Sequence, residues 1–137
     1  MSNRRYNNNR QPVISAKDVT KTNFSDKAEE VIRSYGGSAK VTTSQIRPML
    51  SRINELVQNS RKNSGILTDE EISGLQYLKT TIVYSSGREF STKDFVIKAN
   101  LLEFVNRILE SKNRDDLELF GKYFESLVAF HKYLGGE

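Results

Sequence analysis

Tyrosine and arginine side chains aligned along one predicted helix are the residues of this sequence best suited to contact another molecule. Tyr77, Tyr84 and Arg88 are spaced so that they fall on one line of a helix with 3.6 residues per turn. Aromatic rings on such a line could stack nucleobases, and the guanidinium group could pair with a phosphate. The alternative is a helix buried on both sides, in which the tyrosine hydroxyl groups find hydrogen-bond partners.

Further cations lie beside apolar positions of the same helix and of the helix that precedes it. Arg47 and Arg61 share a polar strip next to the apolar stripe, whereas Arg52 lies on the opposite flank. Lys79 falls among apolar positions, so its ammonium group must reach past them to water or meet an anion. The alternative for each arginine is an ordinary solvated side chain.

The residues needed for catalysis or metal binding are scarce. His131 is the single histidine and falls on an apolar helical face, where a structural role is expected, and there is no cysteine. Zinc sites need several such ligands, and the sequence has no P-loop, dinucleotide-binding fingerprint or HExxH pattern. We therefore expect a protein that is not an enzyme, with no metal site and no cofactor.

Composition places the excess positive charge at one end of the chain. The net charge is +4 over 137 residues, and residues 1–23 contain five basic residues against one acidic residue, so residues 24–137 are neutral. We predict a disordered basic arm over 1–23, which either touches nucleic acid or is a solvated tail, and one domain over 24–137. No stretch approaches the ~18 apolar residues of a membrane span, so a cytoplasmic protein without membrane contact is expected.

Helical periodicity and capping signals predict an all-α fold. Thr42 with Gln45 and Thr68 with Glu71 have the spacing of capping boxes. Pro48 lies near the first turn of the helix that Thr42 opens, so that helix starts late or bends there. The predicted helices cover residues 24–35, 42–61, 68–86, 91–109 and 115–134.

The last predicted helix has apolar residues over roughly 220° of its circumference, so other helices must cover it. We expect a compact bundle of about five helices with this helix at its centre. The last two helices carry more apolar surface than one small bundle covers, and contacts with further copies or other subunits are expected there.

Four segments together resemble one family, the small subunit of type III-A CRISPR effector (Csm) complexes. They are the segments at 42–47, at 77–79 with 84–89, at 93–99, and at 123–136, where the chain reads YFESLVAFHKYLGG. The resemblance implies a non-catalytic helical bundle in an RNA-guided antiviral ribonucleoprotein. In that family the small subunits flank the duplex of guide and target RNA, beside a repeated backbone subunit and a large subunit.

The resemblance also gives the cations a role. It implies that they hold the backbone of target or guide RNA, because base pairing with the guide supplies the sequence specificity. The candidate RNA-binding residues are Arg47, Arg52, Arg61, Lys79, Tyr84, Arg88 and Lys132. The implied partners are both RNAs, the repeated backbone subunit, the large subunit and further copies of the chain. The competing hypothesis is a helical protein–protein adaptor that binds no nucleic acid.

Overall fold

A computed structural model describes residues 11–37 and 39–137, and every regular element in those residues is helical. The predicted all-α fold is therefore confirmed. The α-helices are α1 (Phe24–Arg33), α2 (Thr43–Ser60), α3 (Asp69–Arg88), α4 (Phe90–Lys98), α5 (Leu101–Ser111) and α6 (Arg114–Tyr133). None of these helices is long and apolar enough to cross a membrane.

Both predicted capping boxes form, and they fix where α2 and α3 begin. The Thr42 hydroxyl accepts a hydrogen bond from the Gln45 backbone N–H, and the Gln45 side chain accepts one from the Thr42 N–H at 2.8 Å. Thr68 and Glu71 make the same reciprocal pair at the start of α3. Pro48 lies inside α2, which begins at Thr43 and not after the proline.

The predicted fourth helix is two helices. Asn100 adopts a left-handed backbone conformation with φ of 58° and separates α4 from α5. Asparagine tolerates this conformation better than most residues, and its side-chain oxygen accepts a hydrogen bond from the Ala16 N–H at 2.8 Å. The break turns α5 back onto α6.

Helix α6 lies at the centre, as expected, and packs against α1, α2 and α5. Its rings meet Phe104 of α5, with centroids 4.8 Å from Phe120 and 5.6 Å from Tyr123. The buried Tyr123 hydroxyl donates to the Ala99 carbonyl at 2.8 Å, so a polar group in the core is satisfied. His131 is buried, with Nε2 2.7 Å from the Val41 carbonyl oxygen, which agrees with a structural histidine.

The segment before α1 differs from the predicted arm. Ile14, Ala16 and Val19 are buried in the core, and the Arg107 guanidinium donates to the carbonyls of Ala16 and Val19 at 2.8 and 2.9 Å. The prediction of a disordered arm up to residue 23 is therefore wrong for residues 13–23. Their apolar residues follow no helical period, so only tertiary contacts reveal their burial. The first ten residues of the predicted arm lie outside the described part of the chain.

Candidate nucleic-acid interface

An exposed surface on α2 and α3 combines aromatic rings with arginines, and we call it the aromatic face: Arg52, Tyr77, Tyr84 and Arg88. The Tyr77 and Tyr84 side chains are 59% and 66% exposed. The Arg52 guanidinium carbon lies 5.0 Å from the Tyr77 ring centroid, and that of Arg88 lies 5.8 Å from the Tyr84 centroid. Both distances are within the range of cation–π contacts. The alternative, a helix that is buried on both sides, is therefore wrong for α3.

Close packing of α2 on α3 allows the contact between Arg52 and Tyr77. A Cβ atom at Gly74 of α3 would come within 2.7 Å of Leu56 Cδ2 on α2, so glycine lets the two helices approach there. Arg52 is one helical turn from Leu56 on α2, and Tyr77 is nearly one turn from Gly74 on α3. The close approach of α2 and α3 at Gly74 thus brings Arg52 over the Tyr77 ring.

The arginines of the aromatic face keep their hydrogen-bonding capacity. Among residues 11–37 and 39–137, no carboxylate forms an ion pair with Arg52 or Arg88. A guanidinium stacked on a ring directs its N–H donors outward in its own plane, where a phosphate or carboxylate can accept two of them. The contacts therefore hold the cations in place without satisfying their donors.

The opposite flank of α2 meets α6 on a second surface, the paired face: Arg47, Arg61, Glu118 and Lys132. Arg61 donates to both carboxylate oxygens of Glu118, at 2.6 and 3.1 Å. The hydrogen bond from Arg61 lowers the pKa of Glu118, which keeps the carboxylate charged.

The alignment of α2 with α6 places Arg47 and Lys132 at the end of the paired face that lies away from the Arg61–Glu118 pair. A Cβ atom at Gly121 would lie 3.0 Å from Val57 Cγ2, so α2 and α6 run antiparallel in close contact. Arg47 and Lys132 are each fourteen residues from the members of the ion pair on their own helices. Both are exposed and, on this register, lie at the same end of the face.

Lys79 lies on a third side of the bundle. Its ammonium group donates to the Asn106 side-chain oxygen of α5 at 3.0 Å, and the residue is partly buried. The seven predicted residues therefore do not form one surface. Arg52, Tyr84 and Arg88 belong to the aromatic face, Arg47, Arg61 and Lys132 belong to the paired face, and Lys79 faces α5.

The structure adds residues that the predicted set omitted. Tyr77 belongs to the site because its ring contacts Arg52. The spacing of the tyrosines suggests that Tyr77 lies on this side of α3, but the sequence alone does not show that Arg52 is its partner. Arg114 holds the loop before α3, donating to the carbonyls of Ser60 at 2.9 Å and Ile66 at 2.9 Å, and to the Glu71 carboxylate. A cation at a helix N-terminus, as at the start of α6, is unfavourable for the helix dipole, and this is the signal that Arg114 serves another purpose.

Glu71 has two tasks, as the capping residue of α3 and as the acceptor of Arg114. Burial alone would raise its pKa, but the Arg114 hydrogen bond and the Thr68 N–H lower it to about 2. The described residues contain no group of three or more His, Cys, Asp or Glu side chains placed to hold a metal.

Comparisons with known proteins point to one family. A model of the Csm2 type III-A family matches residues 18–137. The "CRISPR system Cms protein Csm2" of Streptococcus thermophilus is 38% identical over 123 residues, which cover 87% of this chain and 97% of that protein. The protein of the same name in Mycobacterium tuberculosis (strain CDC 1551 / Oshkosh) is 37% identical over 112 residues, 79% of this chain and 89% of that protein. The match spans all six helices, and the chain belongs to the Csm2 family of type III-A CRISPR systems.

Proposed function

We propose that this protein is a non-catalytic small subunit of a type III-A CRISPR RNA-guided complex and holds the RNA backbone through its aromatic face. The single observation that carries the RNA contact is the pair of guanidinium-over-ring contacts on an exposed line of α3. Family membership supports the place in the complex.

The chemistry of the aromatic face suits RNA of any sequence. Stacked guanidinium groups can donate two hydrogen bonds to phosphate oxygens in a bidentate geometry, and exposed rings stack on any base or on ribose. Neither contact reads base edges, so sequence selection is left to base pairing between guide and target. A domain without excess charge would bind free RNA weakly and act when several copies lie beside the same RNA.

The other predicted cations differ in how they contact RNA in this proposal. Arg47 and Lys132 are exposed and make a second, weaker contact with RNA backbone. Arg61 and Lys79 already bond to Glu118 and Asn106, and we propose that they reach RNA only if those bonds open.

The test is purification of the intact complex from cells that express the C-terminally tagged protein. We expect the repeated backbone subunit, the large subunit and guide RNA to co-purify with the unaltered chain. The double variant Arg52→Ala, Arg88→Ala should assemble equally well but retain less target RNA. Arg33→Ala is the matched control, since Arg33 is an exposed arginine of α1 that pairs with Glu29.

The outcomes separate the two parts of the proposal. Recovery of the tagged chain with unrelated proteins and no RNA would favour the adaptor hypothesis over a place in the complex. Full retention of target RNA by the double variant would leave the subunit role intact and overturn the aromatic face as the RNA contact.

A further inference from the structure

Hydrogen bonds fasten the segment before α1 to α4 and α5, and we call residues 13–23 the strap. The Val13 N–H donates to the Lys98 carbonyl, at the end of α4, at 2.9 Å. Asn100 accepts a hydrogen bond from another N–H of the strap, and Arg107 of α5 donates to two of its carbonyls. These contacts fix the point at which the start of the chain joins the bundle, beside the last residue of α4.

The strap begins outside the part of the chain that matches the Csm2 family. The match starts at residue 18, whereas Ile14 and Ala16 lie before it and are buried in the core. The anchoring contacts at the start of the strap are therefore not part of the family match. Their physical effect is to hold the residues that precede them, which we call the leading segment (residues 1–10), at one place on the bundle.

The residue types of the leading segment, MSNRRYNNNR, suit a contact with a nucleic-acid backbone. It contains Arg4, Arg5 and Arg10 but no acidic residue, so it accounts for +3 of the chain's net charge of +4. Arginine donates paired hydrogen bonds to phosphate, asparagine adds amide donors, and the Tyr6 ring can stack on a base. A segment whose apolar residues are one methionine and one tyrosine has little surface to bury in a core.

Helix α4, beside which the strap is anchored, has no unpaired carboxylate to offer the leading segment. Asp94 is the one acidic residue of α4, and it pairs with Lys98 at 3.1 Å. The Lys98 ammonium nitrogen also lies 4.3 Å from the Tyr35 ring centroid, and Lys93 is exposed on the same helix. A phosphate near α4 would therefore meet cations of the helix and of the leading segment without having to displace a carboxylate of α4.

We propose that the leading segment is a second RNA-binding element, and that its three arginines contact phosphates of RNA lying along α4. This inference rests on the proposed function, because the aromatic face determines which RNA lies within reach. Arg88 ends α3 and Phe90 begins α4, so RNA held by Arg88 lies at the start of α4. The strap is anchored at the other end of the same helix, and the RNA then runs from the aromatic face towards the leading segment.

The lengths of the helix and of the leading segment are compatible with this arrangement. Helix α4 has nine residues and is about 13 Å long at 1.5 Å per residue. Arg10 and Arg4 precede Val13 by three and nine residues, so an extended chain reaches about 10 Å and about 30 Å from the anchor. The arginines therefore have the reach to contact phosphates along all of α4 and as far as Arg88.

The salt dependence of RNA affinity counts phosphate contacts and gives the first test. The full chain is titrated with labelled single-stranded RNA at several salt concentrations, and binding is followed by fluorescence anisotropy. If each arginine neutralises one phosphate, Arg4→Gln combined with Arg5→Gln and Arg10→Gln should make the slope of log affinity against log salt shallower by about 2. No helix of the bundle contains a substituted residue, so circular dichroism should show unchanged helix content.

A variant of equal net charge separates a located contact from general electrostatic attraction. Lys21→Gln combined with Lys62→Gln and Lys112→Gln removes three exposed cations that lie outside α3 and α4. Its slope should stay close to that of the unaltered protein. An unchanged slope in the leading-segment variant, or equal changes in both variants, would overturn the proposal.

Photo-crosslinking tests the same contact in the intact complex. Benzoylphenylalanine in place of Tyr6 should crosslink to RNA when the complex purified with the tagged chain is irradiated. Separation of guide from target RNA on a gel shows which of them carries the crosslink, and either one supports the contact. Benzoylphenylalanine in place of Ile66, which is 71% exposed in the loop between α2 and α3, is the control and should give no RNA crosslink. Crosslinks from position 6 to protein alone would overturn the RNA contact in favour of docking on another subunit.

The aromatic face and the leading segment can fail separately. A normal RNA affinity in the double variant Arg52→Ala, Arg88→Ala, together with a shallower slope in the leading-segment variant, would refute the aromatic face and support the leading segment. A loss of affinity in the double variant, together with an unchanged slope in the leading-segment variant, would support the aromatic face and overturn the second element.

Discussion

The aromatic face and the paired face both contain arginines, but the arginines of the two faces have different kinds of partner. Arg52 lies within α2 and Arg61 directly follows its last residue, but the first rests on a ring and the second on a carboxylate. A ring holds a guanidinium group without accepting its N–H donors, whereas Glu118 accepts two of them. The exposed fraction of an arginine therefore does not show whether its N–H donors are free to bind another molecule. The group that the guanidinium contacts within the protein shows it.

The two faces also differ in how tightly their helices pack. On the paired face the neighbour of Gly121 is Val57, which is buried and β-branched and has little freedom to move. On the aromatic side the neighbour of Gly74 is the end of the partly buried Leu56 side chain, which can rotate away. The paired face is therefore the more rigid of the two.

Removal of a ring from the aromatic face should have the largest effect. Tyr84→Ala should weaken binding of single-stranded RNA by about 1–3 kcal/mol, the usual value of one stacked base, and by similar amounts for unrelated sequences. Tyr84→Phe keeps the ring and should bind nearly as well as the unaltered protein. Fluorescence anisotropy at fixed salt measures both.

Tyr133 provides the matched control for that experiment, because it is 77% exposed but lies at the end of α6, away from the aromatic face. Tyr133→Ala should leave RNA affinity unchanged. A strong dependence of the Tyr84→Ala loss on RNA sequence would contradict backbone contact. An equal loss in Tyr84→Phe would move the contact from the ring to the hydroxyl group.

Packing can be compared through two glycines that lie where helices meet, Gly74 and Gly121. Both Gly74→Ala and Gly121→Ala gain about 1 kcal/mol of helix propensity. At Gly121 the added methyl group meets an immobile Val57, and overpacking of this kind costs about 1–3 kcal/mol, so Gly121→Ala should be the less stable variant. Urea unfolding followed by circular dichroism measures the difference, and equal stabilities would show that the two faces pack with the same freedom.

The parts of this fold that depend on residues close together in the sequence were predictable from it. Thr42 with Gln45 and Thr68 with Glu71 signal their helix starts locally, and both capping boxes form. The helix break at Asn100 is not predictable from nearby residues because the apolar period continues through it, and its side chain meets the Ala16 N–H only in the folded chain. Pairing of Arg61 with Glu118 joins residues 57 positions apart, so only the assembled bundle reveals that this arginine is occupied.

The position of the exposed apolar surface shows the same limit. Periodicity predicts it on the last two predicted helices, but α1 and α2 pack against α6, and α3 packs against α4 and α5. Among the described residues, Phe90 and Tyr133 are the large apolar side chains of those helices that are exposed, whereas Tyr77, Val83 and Tyr84 are exposed on α3. A sequence shows how wide an apolar arc is but not which neighbours cover it.

A fall in pH should weaken the contacts of arginines paired with carboxylates but not the contacts of arginines paired with rings. Glu71 holds Arg114, and its pKa of about 2 is below the ordinary value of 4.5. The lowered pKa means that the pair stabilises the fold above pH 4.5 and that this contribution is lost as the pH falls from 4.5 towards 2. Glu71→Gln should therefore reduce the pH dependence of the unfolding midpoint over that range.

The control for the acid experiment is a ring-paired arginine. Arg52→Ala removes a contact that has no titrating partner at acidic pH, so its unfolding midpoint should follow the pH in parallel with that of the unaltered protein. If Glu71→Gln also runs parallel to the unaltered protein, the pair with Arg114 does not contribute to acid sensitivity.

The smallest expected effect comes from freeing an arginine on the paired face. Glu118→Gln removes the charge that Arg61 pairs with, and an exposed pair of this kind contributes little to stability, so the fold should be unaffected. If RNA extends from the aromatic face over Arg47 and Lys132, the released Arg61 should gain a phosphate contact. The slope of log affinity against log salt should then steepen by about 0.7, the value for one additional phosphate on a single strand. An unchanged slope would confine the RNA to the aromatic face, and a loss of affinity would mean that Glu118 itself orients the contact.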